Sequence, residues 1–113
     1  MTMRSLAHLY AKERQFEESF EMYNKLIQFL EVTDDDKEGE LATAYHDVGK
    51  VHVELRNFDE ALQNMQTSID IRKATENSNE HHIAIGKTLL DLAKVFFEKG
   101  QYASATNILL EVR

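Results

Sequence analysis

Three groups of residues in this sequence resemble sites that bind ions or phosphate. Acidic residues with the spacing of the first half of a calcium-binding loop occur at Asp34, Asp36 and Glu38. The twelfth position of such a loop should supply a bidentate glutamate, and here that position is Tyr45. We therefore interpret the stretch as an acidic loop and not as a calcium site.

A second group has the last three residues of a phosphate-binding loop. These are Gly86, Lys87 and Thr88, but the earlier glycine that the motif requires is replaced by His81. The surrounding residues have the spacing of a helix, whereas the motif needs a strand, a loop and then a helix. We therefore interpret the similarity of these three residues to a phosphate-binding loop as a chance match.

The five histidines form the third group. His46 and His52 are six residues apart and would point to different sides of one helix, while His81 and His82 are adjacent and diverge. The sequence has no cysteine, which excludes thiolate zinc sites and cysteine nucleophiles. We predict no metal site, no cofactor and no enzymatic activity.

The composition indicates a helical protein that does not bind nucleic acid broadly. The 113 residues include no proline and only four glycines, and they are rich in residues that favour helices. The net charge of −7 argues against sequence-independent contacts with phosphates. No signal peptide and no apolar run long enough to cross a membrane can be recognised, so we expect a soluble, cytoplasmic protein with no membrane partner.

A repeated pattern of aromatic and small residues organises the chain. The aromatic residues Phe16, Phe58 and Tyr102 lie 42 and 44 residues apart. Three small residues precede them in the same register and three follow: Ala7, Gly49 and Ala93, then Ser19, Ala61 and Ala105. Small residues on two facing helices allow the helix axes to approach closely, and large residues then fill the remaining space. We expect the rings of Phe16, Phe58 and Tyr102 to anchor this packing in the core.

This pattern predicts six helices that form three antiparallel hairpins. We expect the helices at residues 1–12, 16–32, 40–54, 58–76, 80–98 and 102–112, with Gly100 as a left-handed end of the fifth helix. The predicted fold class is all-α, an α-α superhelix built as a solenoid of about three hairpins. We expect one domain over residues 1–113, with repeats at approximately 1–32, 40–76 and 80–113.

The repeated residues resemble the tetratricopeptide repeat pattern W-x2-L-G-x2-Y…A-x3-F. The three matching segments are Met3-x2-Leu6-Ala7-x2-Tyr10…Ser19-x3-Tyr23, Tyr45-x2-Val48-Gly49-x2-His52…Ala61-x3-Met65 and Leu89-x2-Leu92-Ala93-x2-Phe96…Ala105-x3-Leu109. The spacing exceeds the 34 residues of the common repeat. It is similar to the longer-repeat subclass of kinesin light chains and of some bacterial peptide-sensing regulators. Positions that often hold asparagine in that subclass are Asp47 and Asp91 here.

The resemblance implies a protein-binding groove lined by the first helix of each hairpin. Carried over position by position, the groove would hold Arg4, His8, Lys12, Thr43, His46, Asp47, Lys50, Val53, Lys87, Leu90, Asp91, Lys94 and Phe97. Lys50 and Lys94 occupy equivalent positions, each three residues after an aspartate and close enough to interact with it.

From this face we predict a protein or peptide partner with acidic groups, which lies extended or helical in the groove and contacts Val53, Leu90 and Phe97. The alternative is that these charges are ordinary solvated groups on helix surfaces. Arg4 and Lys87 would also suit a clamp for a terminal carboxylate, but His8, Asp47 and Asp91 do not, so we do not predict chaperone-tail binding.

These features predict an adaptor or scaffold module, and the alternative is a peptide-sensing domain that controls an attached effector. Solenoids need polar elements at their ends, whereas the last predicted helix carries Leu110 and Val112. We therefore expect either a fragment of a longer repeat protein or self-association through the C-terminal helix.

Overall fold

The structure, a computed structural model, describes residues 2–32, 38–74 and 79–111, and every regular element in these ranges is an α-helix. The helices are α1 (Met3–Lys12), α2 (Phe16–Val32), α3 (Glu38–Glu54), α4 (Phe58–Ala74), α5 (Asn79–Glu98) and α6 (Tyr102–Glu111). Each end lies within about two residues of its predicted position, which is the usual uncertainty of a helix terminus. The predicted α-α superhelical repeat is confirmed.

The helices pair in chain order into three hairpins, α1–α2, α3–α4 and α5–α6, and the hairpins stack through α2–α3 and α4–α5. The first helices α1, α3 and α5 also contact one another in sequence, whereas the described parts of α2, α4 and α6 do not. The stack is therefore tighter on the side of the first helices.

Small residues allow close approach within the hairpins, as predicted. Ala7 and Ser19 are both fully buried between α1 and α2, and the Ser19 hydroxyl donates to the Ala7 carbonyl at 2.8 Å. In the second hairpin a Cβ added to Gly49 would lie 2.9 Å from Cγ of Met65. Only glycine fits there without displacing the methionine.

Two apolar clusters lie where consecutive hairpins meet. In the first, Tyr23 of α2 packs with Val48 and Val51 of α3. In the second, Met65 of α4 packs with Leu92 and Val95 of α5. Each hairpin thus buries the apolar side of the one before it, and this burial is the main favourable term for stacking.

One predicted core residue is largely exposed. Phe16 and Phe58 are half-buried against the clusters that the following hairpin completes. Tyr102, the third aromatic of the series, is 60% exposed, and Leu109 is 50% exposed. The prediction that all three rings anchor the core is wrong for Tyr102, because no described helix lies beyond α6 to cover it.

The turns inside the hairpins share a left-handed residue. Gly100 has φ of +80°, as predicted, but the equivalent residues Arg14 and Arg56 also have positive φ, at 63° and 61°. The guanidinium carbon of each arginine lies 5.0 Å from the ring centre of the aromatic residue that begins the next helix, Phe16 or Phe58. This cation–π contact offsets part of the cost of the unusual backbone.

Candidate functional site

The candidate site is the face formed by the three first helices. The thirteen residues predicted to line a groove lie on α1, α3 and α5, which contact one another. Eight of them are exposed: Arg4, His8, Lys12, Lys50, Lys87, Leu90, Lys94 and Phe97. The other five are half-buried: Thr43, His46, Asp47, Val53 and Asp91.

Two equivalent polar contacts join consecutive hairpins across this face. The Arg4 guanidinium donates from Nε to Asp47 Oδ2 at 2.7 Å. One hairpin further on, His46 Nε2 donates to Asp91 Oδ2 at the same distance. Arg4 and His46 occupy the same position in their repeats, and so do the two aspartates. The aspartates therefore bind the preceding hairpin and are not paired with the lysines that follow them.

The charges around Asp91 favour its ionised form. The hydrogen bond from His46 is the main cause that lowers the pKa of this carboxyl, and the nearby charges of Lys50 and Lys94 lower it further. Burial opposes these effects but does not outweigh them. The hydrogen bond that Arg4 donates to Asp47 has the matching effect on the other pair and raises the pKa of Arg4.

Two of the four lysines on the face line a cleft and, within the described part of the chain, form no ion pair, unlike the aspartates. Lys50 and Lys94 are exposed, and neither ammonium group forms an ion pair with a carboxylate among the described residues. Both line a cleft of about 340 Å³ between the second and third hairpins. Its apolar lining consists of Val53, Phe58, Met65 and Val95.

A smaller cleft of about 140 Å³ occupies the equivalent place between the first and second hairpins. His8 and Lys50 line it at the positions that Lys50 and Lys94 have in the larger cleft, so Lys50 lines both. Tyr23 stands where the larger cleft has Met65. Glutamates also line both clefts, Glu54 in each and Glu98 in the larger one.

Two of the predicted residues are engaged elsewhere. The hydroxyl of Thr43 accepts a hydrogen bond from Arg72 of α4 at 2.9 Å and donates to the Gly39 carbonyl. Phe97 packs edge-on against Tyr102, with ring centres 5.1 Å apart, at the open end of the stack. Spacing alone indicated the correct helices for Thr43 and Phe97 but not the direction of their side chains.

Arg56 is a residue of the larger cleft that the sequence did not predict. It lies in the turn after α3, held over Phe58 by its left-handed backbone. The sequence did contain a signal for its left-handed backbone, because the equivalent turn position in the third repeat holds Gly100.

The chemical near-motifs do not form sites in the described part of the chain. Asp34, Asp36 and the side chain of Glu38 lie outside the described residues. Thr88 is buried within α5 and its hydroxyl donates to the Ala84 carbonyl, as in a helix and not a phosphate loop. Among described residues no group of three or more histidines and acids could hold a metal ion.

His52 has a structural environment. Its ring centre lies 4.7 Å from that of Phe20, and its Nδ1 is buried without a hydrogen-bond partner. Burial lowers the pKa of this imidazole, and the charge of Glu60 opposes that shift only in part.

No helix among the described residues is long and apolar enough to cross a membrane.

Comparisons with known proteins bear on the family and the fold of the chain. The sequence model of the tetratricopeptide repeat family matches residues 1–74. No curated protein sequence matches the chain at a significant level.

Two solved structures have the same fold at low sequence identity. The crystal structure of BtubC (BKLC) from P. vanneervenii, which is kinesin light chain-like, has a TM-score of 0.88 and 17% identity. The alignment covers 97% of this chain and 43% of BtubC, so the chain spans less than half of that structure. The N-terminal domain of stress-induced protein-1 from C. elegans has a TM-score of 0.79 and 18% identity, with 97% and 78% coverage.

Proposed function

The chain belongs to the tetratricopeptide repeat family, and we propose that it is a non-catalytic module that binds a peptide or helix of a partner protein. Members of this family serve in general as protein–protein interaction modules and non-enzymatic scaffolds. The proposed binding surface is the face of α1, α3 and α5, on the tighter side of the stack. The proposed partner presents acidic groups to Lys50 and Lys94.

The observation that carries this proposal is that the two aspartates of the face are in ion pairs, whereas the two lysines beside them are in none with the described residues. Asp47 and Asp91 are engaged by Arg4 and His46 of the preceding hairpin. Lys50 and Lys94 line the larger cleft, and their ammonium groups are in no ion pair among the described residues. An incoming carboxylate would thus meet two cations without having to displace an existing partner.

Apolar contact would come from the cleft beside these lysines. Val53 is half-buried in its lining, and Leu90 is 42% exposed on α5. A partner side chain that enters the cleft would remove Val53 from water, which is favourable, and a partner that extends along α5 would do the same for Leu90. Phe97 would contribute only at the end of the stack, where it already packs on Tyr102.

Several further features stay predictions. We propose one domain with three repeats, which either is part of a longer repeat protein or associates with itself through its C-terminal helix, and a cytoplasmic location. The alternative function, a peptide-sensing domain that regulates an attached effector, would use the same face.

The proposed function can be tested with peptides selected from a random library on the immobilised chain. We expect the selected peptides to be rich in aspartate and glutamate. We expect the double substitution Lys50→Glu and Lys94→Glu to weaken their binding by at least about tenfold, the effect of roughly 1.4 kcal/mol. Fluorescence anisotropy with labelled peptides would measure the affinity.

A matched control reverses two exposed lysines on the second helices, Lys25→Glu and Lys73→Glu. This variant has the same net charge as the first, so it separates a local effect from a general one. Equal binding by wild type and the Lys50/Lys94 variant would support the solvated-charge interpretation and refute the proposed surface.

A further inference from the structure

The open side of the last hairpin carries a cluster of exposed apolar side chains, which we call the end face. Phe97 and Tyr102 are each 60% exposed and contact each other, and Leu109 is 50% exposed. Contiguous exposed apolar groups of this size on a small protein mark a surface that another element covers.

The internal repeat shows what covers the equivalent surfaces. In the second hairpin the same positions are Val53, Phe58 and Met65, and all three pack in the cluster completed by α5. In the first hairpin they are Ala11, Phe16 and Tyr23, and all three pack in the cluster completed by α3. Each time, the cover is the first helix of another hairpin.

The helix that covers each surface presents two apolar residues three positions apart. These are Val48 and Val51 on α3, and Leu92 and Val95 on α5, all buried. The equivalent pair on α1 is Leu6 and Leu9. They are more exposed, and Leu9 reaches 43%, because no described helix precedes α1. The chain therefore carries both halves of the contact, one at each end of the stack.

The charges at the two ends also match. Inside the stack, the preceding hairpin supplies Arg4 or His46 and the following hairpin supplies an aspartate. On the end face the first of these positions is Leu90, and on α1 the second is Ser5. A joint between the two ends would therefore leave no buried charge without a partner at this position, which is the costly case.

A second contact between charged residues of consecutive hairpins is replaced in a similar way at the two ends. The turn residue Arg14 lies 3.9 Å from Glu54 of the next hairpin. On the end face the turn position is Gly100, and on α1 the glutamate position is Lys12. The loss of the arginine removes the repulsion that it would otherwise have with this lysine.

From this agreement we infer that the end face binds α1 of a second copy of this chain, so that copies stack head to tail in the register of the internal hairpins. Such a contact is heterologous, since two different surfaces meet, and it generates an open chain of copies instead of a closed dimer. The contact uses Leu90 and Phe97 of the predicted groove at the open end of the stack, whereas the cleft that Lys50 and Lys94 line lies between the second and third hairpins.

The test uses one blocking substitution at each end. Leu9→Glu blocks the α1 surface and Phe97→Glu blocks the end face; both residues are exposed, and circular dichroism would confirm that each variant is folded. In sedimentation velocity the wild type should increase in mass with concentration without stopping at a dimer. Each variant alone should associate about thirtyfold more weakly, as expected for loss of a central apolar residue.

Mixing the two variants gives the decisive result. The Leu9→Glu copy keeps its end face and the Phe97→Glu copy keeps its α1 surface, so the mixture should form dimers and nothing larger. Phe29→Glu, on the exposed side of α2, should behave as the wild type. A wild type that stays monomeric into the millimolar range would overturn the inference and leave the end face to a further hairpin or another protein. Undiminished association of the Leu9→Glu variant would also overturn it, since end faces would then be pairing with each other.

Discussion

Replacing His52 with phenylalanine should stabilise the protein, and more so in acid. His52 takes the position that Tyr10 and Phe96 have in the other repeats. Its ring packs on Phe20 between the first and second hairpins, and its Nδ1 is buried with no partner. Phenylalanine keeps the ring contact and removes the unsatisfied nitrogen.

The expected size of the effect follows from that nitrogen. A buried polar atom without a partner costs about 1–3 kcal/mol, and the gain at neutral pH should be toward the lower end because the residue is only half-buried. Burial lowers the pKa of the folded imidazole below its ordinary value of about 6.5. As the pH falls below that value, the unfolded chain takes up a proton before the folded chain does, so the wild type loses stability. The phenylalanine variant lacks this loss.

Urea denaturation followed by circular dichroism at pH 7 and pH 5 would measure both effects. The advantage of His52→Phe over the wild type should be present at pH 7 and larger at pH 5. His8→Gln, which removes an exposed histidine, should keep the wild-type difference between the two pH values. A phenylalanine variant that is no more stable at pH 7, or that loses as much stability as the wild type at pH 5, would refute the reasoning.

Two further substitutions test the turns and the contacts between hairpins. Gly100→Ala should destabilise the fold by about 1–2 kcal/mol, because its φ is +80° although no atom lies within 4 Å of the added carbon; Gly39→Ala has equally open space without the positive φ and should cost less. Asp91→Asn should lower the free energy of unfolding at pH 7 by about 1 kcal/mol through loss of the charged hydrogen bond from His46. Since the pKa of Asp91 is lowered, the wild type should lose this contribution as the pH falls below about 4, and the two proteins should then converge in urea titrations.

The periodicity of the sequence contained most of the fold. The small residues Ala7, Gly49 and Ala93 are each followed twelve positions later by another small residue. This spacing indicates two helices in close contact. These patterns are local to one hairpin, so the helix bounds followed from them. The exposure of Tyr102 could not be predicted from these patterns, because the burial of this ring depends on a neighbouring hairpin and not on its own.

The candidate site could be placed on the correct helices but not resolved into contacts. Spacing within a helix suggested that Asp47 and Asp91 interact with the lysines three residues later. The structure places their ion pairs with Arg4 and His46 of the preceding hairpin. Lys94 acts on Asp91 only through its charge, which lowers the pKa of that carboxyl. The offset between two stacked helices decides which residues face each other across the hairpins. This offset cannot be read from the spacing of residues within one helix.

The most direct test of the proposed binding surface is to locate a bound peptide. An acidic peptide selected on the chain would be titrated into isotope-labelled protein, and changes in the backbone amide resonances would be followed by NMR. We predict that the largest changes lie on α3 and α5 around Lys50, Asp91 and Lys94. Changes confined to the exposed sides of α2, α4 and α6 would contradict the account.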